Sequence, residues 1–88
     1  MKTRRELKNR AETRARAALE EMELYFAAHP GSPAAVRRPQ LSIRGRTFVA
    51  LLGPNIEEGI VGFGDSVHAA LRAFDAQYLQ ALRPTIAA

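Results

Sequence analysis

The sequence predicts an α+β domain of the order αβββα: a long N-terminal helix, a small antiparallel three-stranded sheet or hairpin, and a C-terminal helix. Three observations carry this. Apolar residues recur at steps of three and four up to about Ala28, switch to strand alternation from Gln40, and return to helical spacing after Asp65. With 88 residues and 47% hydrophobic content, the chain has material for one core and no second domain. Residues 1–88 therefore read as a single domain: a basic helix over 1–28, a Pro/Gly linker over 29–39, the sheet over 40–64 and a helix over 65–83.

The first helix opens on a capping box, with Thr3 able to accept from the backbone of Glu6 while Glu6 reaches back. Its stripe runs Leu7, Ala11, Ala15, Ala18, Met22, Tyr25, with Leu19, Phe26 and His29 widening the C-terminal end. Small alanines fill the early part, so the last three turns should pack on the core and the first turns should project. His29-Pro30-Gly31-Ser32-Pro33 ends the helix, and Ser32-Pro33 can start one short turn through Val36 before Pro39.

Leu41–Ile43 reads as a short first strand, Arg44-Gly45 as its turn, and Thr47–Leu52 as the second strand. Both alternating sets of that strand, Phe48/Ala50/Leu52 and Val49/Leu51, are apolar, which predicts cover on both faces by helices or by a second subunit. The loop from Gly53 to Gly59 leads to a third strand, Ile60–Phe63. Asp65 or Ser66 caps the last helix, whose stripe of Val67, Ala70, Leu71, Phe74, Tyr78, Ala81 and Leu82 runs to the stop at Arg83-Pro84. Phe48, Leu51, Phe63, Leu71, Phe74 and Tyr78 are the expected core.

The formal charge of +4 is unevenly placed. Candidate binding residues are Arg4, Arg5, Lys8, Arg10 and Arg14 on the first helix, and Arg37, Arg38, Arg44 and Arg46 after the segment His29–Pro33. The helix places cations in its first half and Glu20, Glu21 and Glu23 in its second, against the helix dipole. Helix stability does not explain this order, so the basic end is a binding candidate that folding can spare.

Catalytic chemistry finds no constellation. With no Cys there is neither a disulfide nor a thiolate zinc site, and His29 and His68 with Asp65 fall short of a closed metal set. Ser66 beside His68 lacks an orienting acid. Glu57 and Glu58 are adjacent in a loop, where side chains diverge. Gly62-Phe63-Gly64-Asp65 leads from a strand into a helix, but Asp65 repels an anion where a phosphate loop would bind one. The expectation is a non-enzymatic protein with no catalytic residue, metal or cofactor. It has no apolar run of membrane-spanning length, and the acids of the first helix argue against a transit peptide, so a cytoplasmic location is expected.

Over Thr47–Leu82, the hairpin, the turn Gly62-Phe63-Gly64-Asp65-Ser66 and the helix with His68-Ala69-Ala70-Leu71 resemble HicB-like antitoxin domains. That resemblance implies a protein toxin as partner. The αβββα order with Gly53-Pro54 between strands also resembles the double-stranded RNA-binding domain, although Asp65, Ser66, Val67 and His68 stand where that family carries lysines. As a small, Cys-free, Arg- and Ala-rich chain, it is similar in style to phage and mobile-element accessory proteins, including anti-CRISPR inhibitors. The first expectation is an inhibitor or regulator acting by occlusion of a host protein or nucleoprotein complex. The alternatives are direct nucleic-acid binding by the basic helix and an antitoxin-like role. A homodimer is expected from the two-sided second strand and from a first helix longer than the sheet.

Overall fold

The computed structural model describes the backbone of residues 4–82 and the side chains of residues 10–82. The order is α1 (Arg4–Ala28), α2 (Pro33–Arg37), β1 (Gln40–Arg44), β2 (Thr47–Leu52), β3 (Ile60–Gly64) and α3 (Val67–Ala81). This is the expected αβββα arrangement, with a three-stranded antiparallel sheet ordered β1-β2-β3. The Thr3 capping box and the Arg83-Pro84 stop lie outside the described residues.

Local chemistry accounts for the boundaries. Ser32 caps α2 by accepting from the Ala35 amide at 3.1 Å, with Pro33 at the first helical position. Arg38 closes α2 in the left-handed region at φ 51°, and its amide donates to the Ala34 carbonyl. Ser66, rather than Asp65, caps α3, accepting from the Ala69 amide at 3.1 Å. β1 and β2 join through Gly45-Arg46, and Gly45 at φ 61° takes the positive angle that a two-residue hairpin loop with glycine first demands.

Both α1 and α3 pack on the same face of the sheet. That face presents Phe48, Ala50 and Leu52 of β2 with Leu41, Ile43 and Ile60 of its neighbours. They meet Ala18, Met22 and Phe26 of α1 and the fully buried Val67, Leu71 and Phe74 of α3. α3 approaches β3 without spacing. A Cβ on Gly62 would stand 2.3 Å from the Ala70 carbonyl oxygen and the Phe74 nitrogen, and one on Gly64 would stand 2.4 Å from the Ala70 nitrogen. Glycine is thus needed at both positions for the helix to lie this close.

This contact corrects the expected core. With Gly62 and Gly64 turned toward α3, strand alternation turns Phe63 to the opposite face, where it is 50% exposed. Leu51 shares that face and is only half-buried. Both helices having gone to one side, the other side of β2 is not covered by a helix. Val49 is nevertheless 2% exposed there, hidden among its sheet neighbours. Ala81 and Leu82 are exposed, so the inward stripe of α3 ends at the partly buried Tyr78.

The first helix divides as its stripe suggests. Burial begins at Ala18, while Ala11 and Ala15 are exposed, as is half of Leu19. The radius of gyration of 15.2 Å exceeds the roughly 12 Å of a compact chain this long. The 25 residues of α1 outreach strands of five or six residues, which lengthens the molecule.

A polar clasp joins the three helices. Asp75 on α3 accepts from the Tyr25 hydroxyl of α1 at 2.5 Å and from the Ala34 amide of α2 at 2.8 Å. Burial and then the hydrogen bond to Asp75 push the Tyr25 hydroxyl well above its usual titration range, against a weaker opposing pull from Arg72. The folded state thus holds this proton more tightly than the unfolded one. The associated stability is present in full below the unfolded value of about 10 and is lost as pH rises beyond it. Alkaline melting curves should fall away above about pH 10, and Tyr25→Phe should flatten that limb while lowering neutral stability by about 1–2 kcal/mol. An unchanged alkaline limb in the variant would remove Tyr25 as its cause.

Candidate nucleic-acid interface

The nine basic candidates separate into three groups. Arg4, Arg5 and Lys8 belong to the backbone-described part of α1, and their side chains lie outside the described residues. Arg37 and Arg38 have structural partners. Arg37 donates from Nε to the Tyr78 hydroxyl at 2.8 Å and lies 5.7 Å from the centre of that ring. Arg38 pairs with Glu23 at 2.5 Å and stacks 4.9 Å from the Phe26 ring. These two arginines tie α2 to α3 and to α1, at the end of β1 away from its turn.

Arg10, Arg14, Arg44 and Arg46 form the remaining group. The guanidinium of Arg14 donates to the Gly45 carbonyl at 3.4 Å, across 31 residues of sequence. Arg44 and Arg46 flank that glycine, and Arg10 lies one turn before Arg14 on the same side of α1. All four side chains are exposed, and among the described residues Arg38–Glu23 is the sole ion pair. Arg14 thus brings the basic helix to the Arg44–Arg46 turn at one end of the sheet, and among the described residues none of these cations is in an ion pair. Asp65, following β3 at the same end, offsets part of this charge. The bond itself is long and exposed and adds little stability; its importance is positional.

Arg44 also belongs to the open face of the sheet. Register places Gln40, Ser42 and Arg44 of β1 beside Leu51, Val49 and Thr47 of β2, with Val61 and Phe63 of β3 beyond. None of the three strands carries a carboxylate. Glu57 and Glu58 sit in the β2–β3 loop, at the far end. An exposed aromatic ring thus shares a neutral-to-basic surface with the arginine cluster. The spacing Gly62-Phe63-Gly64 was the available signal: two glycines on one face mark a close backbone approach and send the residue between them to the other.

Other clusters are less complete. Tyr25, His29 and His68 group with ring-centre distances of 4.7–6.4 Å beside an open groove of about 280 Å³. Among the described residues no group of three or more His, Asp or Glu side chains is placed to hold a metal ion. Among them, too, no helix is long and apolar enough to cross a membrane.

Fold and surface together define a small α+β domain with an open sheet face and a basic end. The sequence matches no family model, no curated protein and no solved structure.

Proposed function

We propose that this chain is a non-enzymatic binding protein that engages the phosphate backbone of a nucleic acid, free or within a nucleoprotein, through Arg10, Arg14, Arg44 and Arg46. The observation that carries the reading is the Arg14–Gly45 contact, which unites the basic helix with the basic turn. Like charges brought to one end of the molecule repel each other, and a polyanion would relieve that repulsion while releasing its own counterions. The extended N-terminal turns of α1 prolong the same edge, which suits a linear ligand better than a compact one. Occlusion of a host site would follow from occupying nucleic acid, or nucleoprotein, that another factor needs.

Fluorescence anisotropy with a labelled 20-nucleotide strand and its duplex, over a salt series, tests this. Affinity should fall steeply with salt, with a log–log slope of roughly −2 to −4 for three or four neutralised phosphates. Changing Arg14, Arg44 and Arg46 together to Gln should weaken binding at least tenfold and flatten the slope, while Arg37→Gln should leave the slope unchanged. Absence of binding to either form at about 50 mM salt would defeat the proposal. It would instead favour a protein partner of the inhibitor or antitoxin-like kind, to be sought by pull-down from host lysate.

A further inference from the structure

We infer that the open face of the sheet is a stacking platform for an unpaired base, with Phe63 as its ring and Arg44 as the adjoining phosphate contact, so that the preferred ligand is single-stranded. This rests on the phosphate-binding reading above and narrows it to a substrate class.

Phe63 is 50% exposed on a face that the close packing of α3 against Gly62 and Gly64 forces it to occupy. Its cross-strand partner Val49 is 2% exposed, so the ring is supported from the sheet side. Arg44 stands on the same face, two strands across and two residues along, roughly 12 Å between Cα atoms by sheet spacing. An extended arginine side chain and one nucleotide together span that gap. Ser42 and Thr47 lie between them and supply hydroxyls without charge. With no carboxylate on any strand, nothing on the face itself repels a phosphate.

Size decides against a second copy of the chain as occupant. Three strands of five or six residues present a face of about 17 by 14 Å, or roughly 240 Å², against the roughly 800 Å² per partner of a standard protein interface. Much of that face is already hidden, with Val49 buried and Leu51 and Val61 half-buried. A single exposed ring on a flat support suits a base, whose π-face any aromatic side chain can meet regardless of sequence.

The test compares Phe63→Leu and Phe63→Trp with the parent, using a labelled 12-nucleotide strand of mixed sequence and a duplex of equal length. Leucine keeps apolar cover over Val49 but removes the π-face; circular dichroism and melting verify that each variant is folded. The parent should bind the single strand more tightly than the duplex. Phe63→Leu should weaken single-strand binding roughly 5- to 100-fold, as expected for one lost stack. The salt slope and duplex affinity should remain unchanged, and Phe63→Trp should bind at least as well as the parent. Salt-dependent binding that is indifferent to Phe63 would overturn the platform and leave the phosphate reading standing. No binding to either form would overturn both. Light scattering that gave twice the 9.7 kDa chain mass, reduced to one by Phe63→Arg with fold intact, would assign the face to a second copy and overturn the platform.

Discussion

Phe74→Ala should destabilise the domain by about 3–5 kcal/mol, the range for deleting a fully buried aromatic side chain. Phe74 is 0% exposed and among the largest fully buried side chains. Its ring lies 6.1 Å from that of Tyr78, and its backbone sits directly over Gly62. Little can collapse into the vacated space, because α3 already rests on the backbone of β3 and cannot move closer. For a domain of this size each kcal/mol corresponds to about 4–8 °C, so melting should fall by 12 °C or more. If total stability is near the lower end of the usual 5–15 kcal/mol, only about 0–2 kcal/mol remains and a measurable fraction of the variant will be unfolded near 37 °C. A melting temperature within a degree or two of the parent would mean that α3 does not present Phe74 to the sheet. Leu79→Ala, at a position 57% exposed on the same helix, is the matched control and should change little.

Sequence reading captured what local chemistry determines. The element order, the short helix after Ser32-Pro33, the Gly45 turn and a side-chain cap at Asp65 or Ser66 each depend on a few neighbouring residues. It also located the thin and thick halves of the α1 stripe, because burial of Met22, Tyr25 and Phe26 follows from helical spacing alone. What it missed depends on how elements pack. Alternation cannot tell which set of a two-sided apolar strand meets the helices. Phe63 therefore reads as a core residue from the sequence, whereas the structure exposes half of it. Arg37 and Arg38 were grouped with Arg44 and Arg46 because they are close in sequence, whereas the extended β1 strand separates them and Tyr78, Glu23 and Phe26 engage the first pair. The join between Arg14 and Gly45, on which the candidate site depends, and the Tyr25–Asp75–Ala34 clasp span 31 to 50 residues. No local pattern announces either.

Gly62→Ala, which adds one methyl group, should be nearly as damaging as deleting the Phe74 ring. The added Cβ would lie 2.3 Å from both the Ala70 carbonyl oxygen and the Phe74 nitrogen, and 2.8 Å from the Phe74 Cα. All three atoms are helix backbone, so no side-chain rotation relieves the overlap. α3 must lift by about 1 Å, loosening the contacts of Leu71 and Phe74 with β2 along its length; overpacking of this kind costs about 1–3 kcal/mol, and rigid backbone places this site at or above the upper figure. Gly31→Ala is the counterpart, since nothing lies within 4 Å of a Cβ there and its φ is not positive. That change should be neutral or stabilise by about 0.4–1 kcal/mol through the unfolded chain. Thermal melts of the two variants should therefore diverge in opposite directions from the parent. A Gly62→Ala protein as stable as Gly31→Ala would show that α3 does not lie on β3 at this distance. The geometry that turns Phe63 outward would then be lost, and with it the basis for reading the open face as a binding surface.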